Sequence, residues 1–169
     1  MAVGDKQAEK LRALAQQHVD DEVVCAAIFL RKGETASRAI QGFARGAGLH
    51  QWASSMERAP DFPSQTLIAV TAGAMHCFEA KGGFSWKVKA PLGTWAHGSY
   101  RAEPGEGTIT RFLTLSFFDG TRAELETQVS GAQRFQARAV DELVARSGAP
   151  LGDGQGDGQG DDATDVGPG

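Results

Sequence analysis

The chain has few of the residues that most often carry chemistry in small proteins. Of 169 residues only two are cysteine, four are histidine and one is tyrosine. Cys25 and Cys77 form neither a CxxC motif nor a disulfide framework, and their apolar surroundings favour two reduced, buried thiols. No Walker loop and no GxGxxG between a strand and a helix is present. We therefore expect no enzyme, no catalytic residues and no cofactor.

Metal-binding patterns are also weak. His18, His50, His76 and His97 lie far apart, and the side chains of the adjacent His76 and Cys77 should point to opposite faces of a strand. The tail begins an EF-hand register at Asp153, but Thr164 stands at position 12, where a calcium loop requires a bidentate glutamate. We predict no metal site.

The chain has no marked excess of either charge except in its acidic C-terminal tail. Five of the 21 acidic residues lie in residues 149–169, which contain no Lys or Arg, so residues 1–148 carry 17 basic and 16 acidic residues. This near-neutral balance argues against a nucleic-acid partner. The composition of the tail, rich in Gly and Asp, is typical of a disordered acidic segment.

Long hydrophobic runs are absent as well. No run reaches transmembrane length, and the polar N-terminus MAVGDKQAEK resembles neither a signal peptide nor a myristoylation site. These features predict a cytoplasmic protein.

A hairpin is the clearest pattern that the sequence contains. Ile109, Leu113, Leu115 and Phe117 alternate with polar residues, Asp119-Gly120 is typical of a tight turn, and a return strand follows. Arg122, Glu124 and Glu126 are predicted to face water. Thus residues 109–127 should be the stability centre.

The rest of the pattern predicts five further strands, seven with the hairpin, and two helices. A helix at 5–19, capped by Asp5, should bury a stripe of small and branched residues, Ala8, Leu11, Leu14, Ala15 and Val19. Further strands are predicted at 23–30, 67–71, 75–80, 84–89 and 94–101, with a break at Pro91 and Gly93 and a loop at 103–107. A last helix should begin at Phe135 and stop at Gly148.

This order of elements resembles the pleckstrin-homology superfold. The segments LIAVTAGAMHCFEAK, SWKVKAPLGTW and FLTLSFFDGTRAELE are similar to bacterial PH-like domains of small uncharacterised actinobacterial proteins, over about residues 23–147. The resemblance implies an α+β fold, a seven-stranded barrel of two orthogonal sheets capped by the C-terminal helix. The expected organisation is an N-terminal helix at 1–22, the barrel at 23–148 with a Gly/Ala-rich insertion at 31–64, and the tail at 149–169.

Two functions remain open at this point. A non-catalytic module can bind a protein or peptide partner, or itself, along a sheet edge or a groove beside the last helix. Alternatively, residues 31–52 bind anionic membrane surfaces, although their apolar side chains could instead cover an open end of the barrel. Trp86 and Trp95 are most simply packing residues, and Lys81, Lys87 and Lys89 a solvated face. The candidate contact residues are Arg38, Phe43, Arg45, Trp52, Trp86, Lys87 and Lys89.

Overall fold

Two α-helices and seven β-strands make up the described part of the chain. The computed structural model describes residues 3–33, 62–82 and 85–148. Helix α1 spans Val3–Gln16 and helix α2 spans Gln136–Arg146, with a 3-10 turn at Gly131–Gln133 before α2. The strands are β1 (Val23–Arg31), β2 (Gln65–Thr71), β3 (Ala74–Gly82), β4 (Trp86–Ala96), β5 (Tyr100–Glu106), β6 (Thr110–Phe117) and β7 (Arg122–Gln128).

All seven strands belong to one antiparallel sheet. Their order is β4-β3-β2-β1-β7-β6-β5, so the strand count and the α+β class predicted from the sequence are confirmed. Between the two halves, β1 and β7 pair only at Leu30↔Glu126 and Arg31↔Leu125. Where two orthogonal sheets were predicted, the hydrogen-bond ladders therefore form a single sheet with a narrow join.

The sheet curls so that distant strands meet. The rings of Trp95 in β4 and Phe117 in β6 lie 4.7 Å apart between centroids. These strands are first and sixth in the sheet order, which would separate them by roughly 24 Å in a flat sheet. Curling encloses an inner core, which α2 closes with Ala139, Val140 and Leu143.

Helix α1 covers the outer face of the sheet. Leu11, Ala15 and Val19 are buried against side chains of β1, β2 and β3, as the predicted apolar stripe requires. The helix begins by Val3 rather than at Asp5, which lies in its first turn, and it ends at Gln16. The Gln16 side chain accepts a hydrogen bond from the Val23 N–H and so fixes the link into β1.

The central hairpin follows the predicted alternation at most positions. Leu113, Leu115 and Phe117 are buried, and the turn is centred on Asp119-Gly120, where Gly120 has φ +86°. Two assignments were wrong. Ile109 precedes β6 and is 50% exposed, whereas Glu126, which pairs with Leu30 of β1 and Phe112 of β6, is 4% exposed.

The predicted boundaries around β4 and β5 were also wrong. Strand β4 continues through Pro91 and Gly93, and two register shifts against β3 accommodate the irregular residues. Residues 97–99 form the turn inside the predicted 94–101 strand, and β5 includes Glu103, Pro104 and Gly105, which were assigned to a loop. Both β4 and β5 are edge strands, where a proline removes no ladder hydrogen bond.

In the part of the chain that the structure describes, neither helix is long and apolar enough to cross a membrane. Most of the predicted insertion, residues 34–61, and the tail from residue 149 onward lie outside that part.

Candidate functional site: a groove beside helix α1

A concave feature of the described residues lies between α1, the outer side of β1 and the start of α2. It has a volume of about 670 Å³, within the range of roughly 300–1,000 Å³ typical of ligand sites. We call it the α1 groove. Its lining residues are Gln7, Lys10, Leu11, Ala13, Leu14, Gln17, Ile28, Leu30, Ser85, Trp86, Gln128, Gln133, Phe135 and Gln136.

One face of α1 forms the long wall of the groove. Gln7, Lys10 and Leu14 share this face because residues three and four apart on a helix are neighbours, and Gln17 follows directly after the last residue of α1. Leu14 is half-buried, while the other three are exposed. The wall therefore offers an apolar strip beside two side-chain amides and one cation.

Outside the α1 segment, the lining combines four apolar residues with Ser85 and three glutamines. The four apolar residues are Ile28 and Leu30 of β1 and the aromatic residues Trp86 and Phe135. Both aromatic residues pack against the outer cluster beneath α1. This packing holds the two rings in place for contact with a ligand.

Gln136 lines the groove, and three hydrogen bonds hold its side-chain amide in place. Its Oε1 accepts a hydrogen bond from the Ile28 N–H at 2.9 Å, and its Nε2 donates to the Gln128 carbonyl at 3.1 Å and to Gln133 Oε1 at 2.8 Å. Thr127 Oγ1 donates to the Ile28 carbonyl at 2.8 Å. Gln136 and Thr127 therefore provide hydrogen-bond partners for the backbone N–H and carbonyl of Ile28, where β7 no longer pairs with β1.

The predicted contact residues fall in three places. Trp86 lines the α1 groove. Lys87 lies on the opposite face of β4 and directly across from Lys81, and both Lys87 and Lys89 are exposed. The structure does not bring these lysines into the groove.

The four remaining candidates, Arg38, Phe43, Arg45 and Trp52, lie outside the described residues. Membrane binding through residues 31–52 therefore stays a prediction. Of that stretch the structure describes residues 31–33, in which the Arg31 guanidinium donates to the Phe62 carbonyl and Lys32 forms an ion pair with Glu124 at 3.5 Å.

The described thiols and the single phenol are held in their protonated forms. Burial raises the pKa of the Cys77 thiol, and burial followed by the charge of Glu142 raises that of Cys25 to about 11. Burial raises the pKa of Tyr100 to about 12. Each of these shifts favours the neutral thiol or phenol over the anionic form.

Tyr100 instead takes part in a structural network at the β4–β5 turn. His97 Nε2 lies 2.9 Å from the Thr71 carbonyl, so this nitrogen carries the proton and donates. His97 Nδ1 lies 3.0 Å from the Tyr100 hydroxyl, which completes the network. The network fixes the corner where the chain passes from β4 into β5.

The other described histidines lie apart from one another. His18 packs against the Phe78 ring, and His76 Nδ1 lies 3.1 Å from Thr94 Oγ1. Within residues 3–33, 62–82 and 85–148, no three His, Cys, Asp or Glu side chains are grouped to hold a metal ion.

Sequence reasoning placed only Trp86 among the groove residues. It did not assign contact roles to Lys10, Leu14, Phe135 or Gln136. The polar residues Gln7 and Lys10 beside the apolar stripe of α1 were a possible signal, but only the structure shows that they line the same groove as Trp86. In comparisons with known proteins, no family model, curated protein or solved structure matches this chain significantly.

Proposed function

We propose that this protein is a non-catalytic binding module, of PH-like type, that holds a short peptide segment of a protein partner in the α1 groove. The observation that carries the proposal is the combination, in one open groove, of apolar side chains, two aromatic rings and several glutamine amides. The kinship with PH-like domains rests on the order of strands and on the last helix closing a curled sheet.

The lining chemistry suits a peptide. Glutamine amides both donate and accept hydrogen bonds, as a peptide backbone does, and Gln7 on α1 and Gln17 just after it are exposed. Leu14, Trp86 and Phe135 supply apolar surface for the side chains of the ligand.

The charge of the groove argues for the same class of ligand. Lys10 is the one charged residue among the described residues that line it. A site for a polyanion, such as a phosphorylated lipid headgroup, needs several cations. One lysine instead suits a largely uncharged peptide that carries a single acidic side chain.

The groove is a better candidate than the sheet edges. An added strand needs a continuous row of backbone donors and acceptors, and the edge strands β4 and β5 contain Pro91 and Pro104. The register shifts in β4 interrupt its edge further.

Selection from a library of random displayed peptides tests the proposal. The expected result is a family of peptides that share apolar positions and one acidic residue. Ala13→Glu, on the exposed groove wall, should abolish their binding, because it introduces bulk and a negative charge into the groove. Ala96→Glu is the matched control on an exposed site of β4 outside the groove.

Quenching or shift of Trp86 fluorescence on addition of a selected peptide would place the ligand next to that ring. The proposal fails if no family is enriched, or if Ala13→Glu and Ala96→Glu bind the selected peptides equally.

A further inference from the structure

The turn between β6 and β7 presents an aromatic side chain to solvent. Phe118 is 64% exposed, and the described residues contain only two other large hydrophobic side chains of comparable exposure, Val3 and Ile109. A single exposed apolar residue is ordinary, but Phe118 stands at the tip of a short hairpin, where nothing of its own turn shields it.

Hydrogen bonds hold this tip in one conformation. The Phe117 N–H donates to the Thr121 carbonyl at 2.9 Å, and the Gly120 N–H donates to the Phe117 carbonyl at 3.0 Å. The Thr121 N–H donates to Asp119 Oδ1 at 2.8 Å. The tip therefore presents Phe118 and the neighbouring Asp119 carboxylate at a low cost in conformational entropy on binding.

The tip and the α1 groove have complementary chemistry. Phe118 matches the aromatic and aliphatic walls formed by Trp86, Phe135 and Leu14, and Asp119 matches Lys10, the one cation of the described lining. Aromatic side chains that fill a pocket, flanked by a charge pair at its rim, are the usual anchors of protein interfaces.

The tip of a molecule cannot fill its own groove. Gln128 lines the groove at the far end of β7, while the tip lies before the first residue of that strand, Arg122. Strand β7 separates the two by roughly 20 Å, at about 3.4 Å per residue. A second molecule must supply the tip.

We propose that the α1 groove receives the Phe118–Asp119 tip of a second copy of this chain. The inference rests on the proposed function, because it names the peptide segment that the groove binds. Tip and groove are different surfaces, so each contact is heterologous. A hairpin tip buries less than the roughly 1,200 Å² of a standard interface, and the association is accordingly weak and concentration-dependent.

Sedimentation equilibrium of the full chain, from micromolar to millimolar concentration, tests this inference. The mean mass of the unsubstituted protein should rise with concentration. Phe118→Ser, which removes the tip, and Ala13→Glu, which blocks the groove, should each weaken self-association by about tenfold or more. Ile109→Ser is the matched control, because it removes an exposed apolar side chain from a different turn and should associate like the unsubstituted protein.

Mixing the two defective variants gives the sharper test. Phe118→Ser keeps an intact groove and Ala13→Glu keeps an intact tip, so an equimolar mixture should form a one-to-one dimer that neither variant forms alone. Circular dichroism of each variant checks that the fold is retained, as the exposure of both sites leads us to expect.

The inference is overturned if the unsubstituted protein stays monomeric to millimolar concentration, if Phe118→Ser associates normally, or if the mixture forms no dimer. Failure of the inference differs from failure of the proposed function. If selected peptides bind the groove while the protein stays monomeric, the function stands and the occupant comes from another protein. If the Ala13→Glu variant both associates and binds peptides, the groove is not the binding site and both proposals fail.

Discussion

Leu115 shows at the scale of one residue how burial inside the curled sheet stabilises the fold. Its side chain is fully buried in the inner core, while the neighbouring Thr114 points to the other face of β6 and is half-buried. Leu115→Ala should lower the free energy of unfolding by about 2–5 kcal/mol, through lost burial and the cavity left behind. Thr114→Ala should cost well under about 1 kcal/mol. Equal losses in urea denaturation would contradict the assignment of faces.

Asp119 gives the turn a dependence on pH. Hydrogen bonds from Thr121, the backbone N–H first, lower the pKa of its carboxyl group. A carboxyl group with a lowered folded pKa stabilises the folded state above the unfolded pKa, and the effect is lost as pH falls through the folded pKa. Asp119→Ala should therefore reduce the slope of stability against pH on the acid side, below about pH 4. An unchanged slope in denaturation curves would remove Asp119 from this role.

Single residues also show why the alternation of apolar and polar residues predicts the core-facing side of a strand better than its exposed side. The pattern at Leu113, Leu115 and Phe117 was sufficient because the inner core buries every second side chain of β6. The same pattern placed Glu126 in water, but the neighbouring strands bury it at the join of the sheet. Alternation reports the period of a strand and carries no information on what packs against its second face.

At the scale of elements, the number of strands and helices was easier to predict than the residues at which each one begins and ends. The number of strands and helices was predicted, but the predicted 94–101 strand spans the turn between β4 and β5, because Pro91 was interpreted as a strand break and Pro104 as part of a loop. A proline breaks a ladder only where its N–H would be needed, and both β4 and β5 have a free edge. Edge position is a property of the sheet order, which local sequence does not contain.

The segment between β1 and β2 separates the two functions considered from the sequence. If residues 31–52 bind anionic membranes, Arg38→Glu with Arg45→Glu should abolish binding to anionic vesicles, and salt should weaken it, because exposed charges are screened within about 10 Å at 0.1 M. If Phe43 and Trp52 cover the domain, replacing both with Ser should lower the melting temperature. We expect the second result.

Co-sedimentation with anionic and neutral vesicles, together with thermal melts, measures both effects. Salt-sensitive vesicle binding that disappears on charge reversal, while Phe43→Ser leaves the melting temperature unchanged, would reverse our expectation.

For the whole molecule, the acidic tail should contribute little to stability. Residues 150–169 contain few apolar side chains with which to offset the entropy of ordering them. Deleting them should leave the melting temperature nearly unchanged. A large decrease, measured by differential scanning calorimetry, would show that the tail packs on the domain.

The candidate site depends on the whole molecule and for that reason was largely beyond prediction. Its residues come from α1, β1, β4, β7 and the start of α2, which are adjacent only once the sheet is formed. Trp86 could be proposed alone, as an aromatic residue on a half-buried strand. The role of Gln136 could not be predicted from the sequence, because its hydrogen-bond partners Ile28 and Gln128 lie in two different strands.

The narrow join between β1 and β7 has a kinetic consequence. Two ladder pairs, the bonds from Lys32 to Glu124 and the side chains of Gln136 and Thr127 join β1 to β7, and the inner core is shared by both halves of the sheet. The backbone ladder at this join can therefore open locally without breaking the hairpins on either side, and native-state hydrogen exchange should show this opening below the global unfolding limit. The Ile28 amide, bonded to a side chain at this join, should exchange faster than amides in the centre of the β2–β3 ladder. In Gln136→Ala it should lose protection first, well before the global unfolding limit.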